Sequence, residues 1–408
     1  MEFKKSSDDF RTRKRYFFIN LRCTVQNILN RLLSFFEKKE DGVLLLLPAT
    51  LDGSFGDELM AVTFVNNVDG NVPITLYERK WHERPDLFGN YKNVNYLQYK
   101  FAPKFHKFKK GAYVIGADNL TPSYGTAVTS YKCRTLRNAN KYKLPTAILG
   151  FSINTGILNS SLKDDFASLI PNTRFNLRDP DSYEVADKFL PTENLYQVAD
   201  LAFLCPYDKN EDAQYLNWIS ERRQEGNIIC GVCPNWMQAN KIGVEAYIGH
   251  FIDVFEKLHH EKNVSYVMLY HDIRGEMSDR DLAEAIYLKL KERNIDAFFK
   301  SDIKNGLELK SYLEYIDFTI SARMHFGISG YSFAKPLFGI SYEDKFSGLQ
   351  KLFGVDPKKS LVSYTEMTKF YDVLTTFVDH LPQFSESTKA NLPKVKELSR
   401  KNFDQLNK

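Results

Sequence analysis

Two segments decide the fold assignment: Ile316-Asp317-Phe318-Thr319-Ile320-Ser321-Ala322-Arg323-Met324-His325 and, further along the chain, Ser341-Tyr342-Glu343-Asp344-Lys345. The first reads as a short apolar strand that ends abruptly and places Arg323 and His325 at the turn into a helix. The second ends another apolar run near Lys345. In doubly wound sheets, ligands bind beyond the carboxyl ends of strands and against helix N-termini. The two segments therefore predict an α/β fold whose strand edge holds an anion and moves a proton.

Short apolar runs alternate with helical patterns along most of the chain, as in parallel sheets. The predicted strands are Val43–Leu47, Ile74–Tyr77, Ala112–Ile115, Thr146–Leu149, Phe175–Leu177, Leu201–Leu204, Ile228–Val232, Ser265–Tyr270, Ala297–Phe299, Phe318–Ile320 and Leu337–Ile340. Because they fall into two blocks, we expect two Rossmann-like, doubly wound domains facing a cleft. The predicted boundaries are 1–40 for a basic amphipathic helix, 41–206 for the N-terminal domain, 207–226 for a linker, 227–362 for the C-terminal domain and 363–408 for C-terminal helices.

Charge and cysteine content limit the partners and the compartment. The net charge of the 408 residues is +4, but residues 1–40 alone carry +5, which leaves −1 for the rest of the chain. A neutral body gives no electrostatic reason to expect a nucleic-acid partner. Five scattered cysteines fit a reducing compartment better than a disulfide framework. We therefore expect a cytoplasmic protein, with a peripheral position on the inner face of the plasma membrane as the alternative.

The first forty residues combine an apolar stripe with many cations. The stripe recurs at helical spacing and consists of Phe10, Phe17, Phe18, Leu21, Val25, Ile28, Leu29, Leu32 and Phe36. One interpretation is a terminal helix docked on the globular body, with its cations solvated. The other is a helix that lies in an anionic membrane interface. The sequence leaves both open.

Polar residues follow several of the predicted strands. Gly53 and Gly56 allow a tight turn, and Asp57 either complements the helix dipole or accepts a proton from a sugar hydroxyl. Asp118, Asn119 and Ser152 suit hydroxyl recognition and suit turns equally well.

Two further candidates stand at strand ends. Arg178 either points a forked donor at a ligand or belongs to an internal ion-pair network with Asp179. His271 ends the strand Ser265–Tyr270, where a histidine is either functional or simply a satisfied polar residue.

In order and spacing, these motifs resemble the polysaccharide pyruvyl transferase family. The segments that carry the resemblance are Gly53–Leu59, Gly116–Asp118, Gly150–Ser152, Arg178–Ser182, Asp200–Phe203, His271–Asp272, Ser321–His325 and Ile340–Lys345. Two loops depart from the family pattern. Gly116-Ala117-Asp118-Asn119 stands where the family has several glycines, and Gly150–Asn154 is an altered version of its loop. Both belong to the half expected to bind the acceptor.

The resemblance implies a glycosyltransferase-B-like fold and transfer of pyruvyl from phosphoenolpyruvate to two hydroxyls of one sugar, giving a cyclic ketal during surface polysaccharide biosynthesis. The acceptor would be a glycan or a lipid-linked sugar. No cofactor and no metal are expected. The residues implied for phosphoenolpyruvate binding are Arg178, Arg323, Met324 and Lys345, and those for acceptor binding are Gly53, Gly56, Asp118, Asn119 and Ser152.

In this chemistry His325 would protonate the enol carbon, and Asp57 or His271 would accept a hydroxyl proton. Two alternatives remain. One is a glycosyltransferase of the same fold that uses a nucleotide sugar, with Asp57 as base and Arg323 or Lys345 on the diphosphate. The other is a non-catalytic relative that binds glycans or anions in a polysaccharide-assembly complex.

Overall fold

A computed structural model describes residues 2–34, 36–48, 51–79, 83–118, 120–275, 278–341 and 345–406. The chain divides into two compact units. Unit 1 comprises Met1–Leu51, Met60–Leu201 and Leu398–Lys408, and unit 2 comprises Asp52–Leu59 and Ala202–Glu397.

Unit 1 is built on a seven-stranded parallel sheet. Its strands are β1 (Val43–Leu46), β2 (Ile74–Glu78), β3 (Val94–Gln98), β4 (Gly111–Ala117), β5 (Thr146–Phe151), β6 (Thr173–Leu177) and β7 (Leu195–Gln197). The order is β3-β2-β1-β4-β5-β6-β7, which is doubly wound with its switch point between β1 and β4. The helices of this part of the chain are α1 (Glu2–Leu33), α2 (Phe55–Asn66), α3 (Pro85–Phe88), α4 (Thr126–Lys141), α5 (Leu162–Ala167) and α6 (Pro180–Ala186).

Unit 2 repeats this plan with a six-stranded parallel sheet. Its strands are β8 (Ile228–Cys233), β9 (Val264–Met268), β10 (Ala297–Phe299), β11 (Phe318–Ser321), β12 (Leu337–Ser341) and β13 (Leu361–Ser363). The order β10-β9-β8-β11-β12-β13 places the switch point between β8 and β11. The helices are α7 (Ala213–Gln224), α8 (Trp236–Ile242), α9 (Val244–Lys262), α10 (Asp279–Glu292), α11 (Gly306–Tyr312), α12 (Met324–Tyr331), α13 (Lys345–Leu352), α14 (Phe370–Asp379) and α15 (Leu381–Arg400).

The predicted α/β class with two Rossmann-like, doubly wound sheets is confirmed, and one predicted strand is wrong. Leu201–Leu204 forms a 3-10 helix, because four apolar residues bury as well in a helical turn as in a strand. Three strands were missed, namely β3, β7 and β13, and all three lie at sheet edges. These three strands are partly exposed, so they lack the continuous apolar run of a central strand.

The division into units differs from the predicted boundaries. Residues 1–40 belong to unit 1, and the predicted linker 207–226, which contains α7, belongs to unit 2 together with residues 363–397. Two other differences change the assignment of candidate or terminal residues. Asp52–Leu59, expected in the N-terminal domain, belongs to unit 2, and the boundary falls within α2. Leu398–Lys408, expected among separate C-terminal helices, belongs to unit 1. The first of these two differences matters for function because it moves Gly53, Gly56 and Asp57 into unit 2.

The helix α1 packs on unit 1, but not through its apolar stripe. Tyr16 and Cys23 are buried, and Asn30 donates from Nδ2 to the Ala102 carbonyl. The described part of the stripe, from Phe17 to Phe36, stays exposed. The helix is therefore docked on unit 1, as one of the two interpretations expected, through a face other than the stripe. None of the described helices is long and apolar enough to cross a membrane.

Candidate active site in unit 2

The segment after Asp52 is held against the loop that follows β9. Phe55 donates its backbone N–H to the His271 carbonyl at 3.2 Å, and Ile273 donates to the Gly53 carbonyl at 3.0 Å. Ser54 and Asp272 form an antiparallel bridge between these bonds. The Phe55 ring also lies against His271, with 6.2 Å between ring centroids. These contacts explain why residues 52–59 belong to unit 2.

Two glycines make this close approach feasible. Gly53 has a φ of +101°, and a Cβ built on it would lie 2.5 Å from Ile273 Cγ1. A Cβ on Gly56 would lie 2.3 Å from Nδ1 of His325. Any side chain at position 56 would therefore displace the imidazole. Gly53 thus lies against the His271 loop and Gly56 against His325, and their expected role in acceptor binding stays a prediction.

Two histidines stack at the carboxyl edge of the unit 2 sheet. His271 follows β9, and His325 is the second residue of α12, which begins after β11. Their ring centroids are 6.0 Å apart and the rings are nearly parallel, at 10°. His271 is buried, and within the described part of the chain its Nε2 has no hydrogen-bond partner. This imidazole nitrogen therefore keeps an unused hydrogen-bonding capacity inside the site, which is uncommon for a buried polar atom.

The pKa of His271 is held well below its usual range. Burial is the main cause, because it penalises the charged imidazolium, and electrostatic interactions with His325 and Arg323 lower the pKa further. His271 is therefore neutral near pH 7. A neutral imidazole can accept a proton, whereas it is a poor donor at that pH.

Arg274, in the same loop as His271, lies close to two carboxylates, those of Asp272 and Asp57. Its Nε and Nη2 donate to the two oxygens of Asp272 at 3.0 and 2.7 Å. Burial would raise the pKa of Asp272, but the hydrogen bonds from Arg274 and the charge of Arg323 outweigh it and lower that pKa. Asp57 is buried and lies near enough for its charge to help raise the pKa of Arg274. Asp57, Asp272 and Arg274 thus form one charged group.

Arg323 is the N-terminal cap residue of α12 and is paired in a forked geometry. Its Nε and Nη2 donate to the two carboxylate oxygens of Asp279 at 2.7 and 2.9 Å, and Asp272 lies 3.8 Å from Nη1. Asp279 is fully buried, and burial raises its pKa although Arg323 opposes the shift. Met324 follows as the first helical residue and is half-buried. The pair fixes the guanidinium beside the two histidines.

Three of the candidate residues lie in unit 1. Arg178 is buried and donates to Asp200 at 2.7 Å and to Ser152 Oγ at 2.7 Å, while Ser152 donates to Asp179 at 2.7 Å. Arg178 thus belongs to an internal network, in which it pairs with Asp200 and is linked through Ser152 to Asp179, the partner that the sequence suggested. Asp118 lies in the turn after β4. A role for these residues in binding phosphoenolpyruvate or acceptor stays a prediction.

The side chains of two candidates, Asn119 and Lys345, are not described. Asn119 lies outside the described residues. Lys345 begins α13, but its side chain is not described. Their assigned roles remain sequence-based predictions.

Sequence reasoning missed two members of the cluster, Arg274 and Asp279, and it quoted Asp272 in a motif without giving it a role. Arg274 follows His271 by three residues in a Gly-containing loop, which is a signal that could have been used. Asp279 reads as an ordinary first-turn acid of α10. Its pairing with Arg323 joins positions 44 apart and has no local signature.

The cysteines and acids offer no metal site in the described part of the chain. No group of three His, Cys, Asp or Glu residues there could hold a metal ion. Cys230 and Cys233 are free thiols buried on β8, and burial raises the pKa of both well above its usual range.

Comparison with known families gives a match over most of the chain. A family model described as polysaccharide pyruvyl transferase matches residues 55–344. No curated protein matches the sequence.

Several solved structures share the fold at low sequence identity. A putative UDP-N-acetylglucosamine 2-epimerase from Listeria monocytogenes has a TM-score of 0.59 and 9% identity, covering 88% of this chain and 94% of its own. UDP-GlcNAc 2-epimerase from Neisseria meningitidis, bound to UDP-GlcNAc, has a TM-score of 0.58 and 11% identity, covering 90% and 99%. The S. aureus MnaA–UDP structure has a TM-score of 0.57 and 9% identity, and the match covers 86% of this chain and 92% of that one. At these identities the likeness shows the glycosyltransferase-B-like fold alone.

Proposed function

Because the chain belongs to the polysaccharide pyruvyl transferase family, we propose that it transfers pyruvyl from phosphoenolpyruvate to two hydroxyls of one sugar. The product is a cyclic ketal on a glycan or a lipid-linked sugar, and inorganic phosphate is released. The observation that carries the proposal is the cluster in unit 2, where two stacked histidines lie with Arg323 at the start of α12. The N-terminal turn of α12 suits a donor with a phosphate and a carboxylate, and the Arg323 and Arg274 guanidiniums lie beside it, each already paired with a carboxylate.

The reaction needs one proton donor and one acceptor. His325 donates a proton to the methylene carbon of phosphoenolpyruvate, so that positive character develops at the adjacent carbon. A sugar hydroxyl attacks that carbon, and neutral His271 takes its proton, with Asp57 as the alternative acceptor. The carbon–oxygen bond to phosphate then breaks, and the second hydroxyl closes the ketal. The two hydroxyl protons balance the reaction: one replaces the proton that His325 gave to the methylene carbon, and the other leaves on the phosphate.

The second candidate is a glycosyltransferase that uses a nucleotide sugar. It is favoured by the fold shared with structures whose printed titles name UDP or UDP-GlcNAc. The same anion-binding turn would then hold a diphosphate. A third candidate, a non-catalytic glycan-binding protein, would retain ligand affinity and lack turnover.

The deciding experiment incubates the full chain with phosphoenolpyruvate and a panel of sugar acceptors and measures phosphate release. Acceptor-dependent phosphate release supports pyruvyl transfer. Release of UDP from a nucleotide sugar, with none of phosphate from phosphoenolpyruvate, would favour the glycosyltransferase. Calorimetric binding of phosphoenolpyruvate is measured in parallel, on wild type and Arg274→Gln. Arg274 is the better position for this than Arg323, because removing Arg323 would strand the buried Asp279 carboxylate.

The pH–rate profile tests the division of roles between the histidines. Because the pKa of His271 is lowered, we expect its deprotonated form, and hence the rate, to persist as pH falls below the ordinary histidine value of about 6.5.

A variant tests the other histidine. His325→Ala should lower kcat about a hundredfold or more and remove the basic limb of the profile. His260→Ala, at an exposed position on α9, is the matched control and should leave the profile unchanged. A basic limb that survives in His325→Ala would remove His325 as the acid.

A further inference from the structure

The outer face of α1 is an apolar surface without a partner in the described structure. Seven large apolar side chains between Phe17 and Leu32 are each more than half exposed, from 54% at Val25 to 63% at Phe17. They recur at helical spacing and so form one stripe. Phe36, just beyond the helix, is 90% exposed. A continuous exposed patch of this kind marks an interaction surface.

The opposite face of α1 fixes the helix to unit 1. Tyr16 joins the core of unit 1, and the Cys23 thiol lies 3.5 Å from the Tyr99 carbonyl. Gln26 accepts from the Ala102 backbone N–H at 2.8 Å, while Arg134 donates to Thr24 Oγ1 at 2.7 Å. The helix is therefore anchored through one side. Because that side packs on unit 1, the apolar stripe on the other side faces outward.

The charges of α1 beside the described stripe are positive, and the first acidic residue after them is Glu37, which pairs with Lys104 and His106. From Lys14 to Ser34 the sequence contains four cations and no acidic residue. Arg22 lies over the ring of Phe101, which is itself 40% exposed beside the helix. Apolar side chains flanked mainly by cations match a surface that is apolar inside and anionic outside.

A basic pocket adjoins the stripe between α1 and α4. It has a volume of about 620 Å³, and its lining includes Ile28 of the stripe together with Arg31, Arg134, Arg137 and Lys141. One carboxylate, Asp165, lies 3.6 Å from Arg137, so the lining keeps an excess of positive charge. A pocket of this charge, open beside an apolar stripe, suits a phosphate headgroup whose acyl chains lie along the stripe.

We propose that this surface, the α1 stripe with the α1–α4 pocket, docks the protein on an anionic phospholipid bilayer. The apolar side chains enter the boundary between headgroups and acyl chains, and the pocket binds an anionic lipid headgroup. A second copy of the chain is the less fitting occupant, because two cationic faces would repel each other. The proposal does not depend on the reaction in unit 2.

The test is co-sedimentation of the full chain with vesicles of phosphatidylcholine, with and without phosphatidylglycerol. We expect binding to the anionic vesicles that weakens as salt rises, and much weaker binding to the neutral ones. Leu21→Glu should lower the partition coefficient more than tenfold, since it places a charge in the stripe. Leu288→Glu changes a side chain of similar exposure, 53% against 56%, on α10 and should bind like wild type.

The pocket is tested separately with Arg31→Gln and Lys141→Gln. Each removed cation should weaken binding to anionic vesicles about fivefold. Lys163→Gln, at an exposed position on α5, is the control for loss of charge elsewhere on unit 1.

Equal binding to neutral and anionic vesicles, or none to either, would overturn the proposal. The proposal would also be overturned if the protein did not bind vesicles but self-associated, and if Leu21→Glu abolished that self-association. Phosphate-release activity is not part of the readout, so this result and the proposed function fail independently.

Discussion

Gly56 and His325 occupy adjoining space in unit 2, and the first residue of the pair has no side chain because the second needs that volume. The Cβ position of Gly56 is 2.3 Å from Nδ1 and 2.5 Å from Cγ of the imidazole. Side chains in close-packed regions yield only by moving as a whole. Position 56 therefore controls where the imidazole lies.

We expect Gly56→Ala to lower kcat/KM for phosphoenolpyruvate by about a hundredfold, because it displaces His325 by an ångström or so. Overpacking should also reduce the free energy of unfolding by about 1–3 kcal/mol. Phosphate-release kinetics and urea denaturation measure the two effects. Gly249→Ala, inside α9 with nothing within 4 Å of its Cβ position, should keep full activity and gain about 0.5–1 kcal/mol. Wild-type kinetics in Gly56→Ala would show that the imidazole position is not critical.

At the scale of elements, the turn after β8 is tied to the turn after β11 across the switch point. Asn235 caps α8 by accepting from Met237 N at 2.8 Å and Gln238 N at 3.3 Å. Its Nδ2 donates to the Ala322 carbonyl at 3.1 Å, immediately before Arg323. One buried side chain thus serves a helix terminus and the site turn together.

Asn235→Ala should destabilise unit 2 by about 2 kcal/mol or more, since it removes a cap and leaves the buried Ala322 carbonyl without this donor. Chemical denaturation measures the loss. Ser363→Ala also removes a cap, where Ser363 accepts from Thr365 N at 3.3 Å, but at a more exposed place. We expect that control to cost about 0.5–1 kcal/mol. Equal costs for the two variants would mean that the bond to Ala322 contributes nothing.

At the scale of the whole molecule, the end of the chain returns to the first unit. The Oδ1 atom of Asn402 accepts from Gly150 N at 3.0 Å and from Asn176 Nδ2 at 3.2 Å. Its Nδ2 donates to the Ala199 carbonyl at 2.9 Å, and the Phe403 ring packs against Phe64. Residues 398–408 are therefore part of the fold of unit 1, more than 200 positions from their partners.

Asn402→Ala should lower the free energy of unfolding of unit 1 by about 2–4 kcal/mol, because several buried backbone and amide groups lose their partner. Hydrogen exchange should show the loss in β5 and β6 and leave the strands of unit 2 protected as before. Lys401→Ala, at the exposed neighbouring position, should change stability by less than about 0.5 kcal/mol. Loss of protection that is equal in both units would contradict a role confined to unit 1.

The sequence by itself determined the two parallel sheets, the family and the strand ends on which the candidate residues lie. Central strands such as Val43–Leu46 and Phe318–Ser321 are buried on both faces, so they read as unbroken apolar runs. His271 and His325 could be placed at one sheet edge for the same reason. Three of the four edge strands, β3, β7 and β13, were missed because partly exposed segments lack that run, whereas the edge strand β10 was predicted.

Only the tertiary structure decided the partners. It pairs Arg323 with Asp279 and Arg178 with Asp200, groups residues 52–59 with unit 2, and turns the stripe of α1 outward. Periodicity in a sequence reports which face of an element is apolar, because burial follows the repeat of that element. It does not report which distant residue meets that face, since such pairings depend on how elements pack in space.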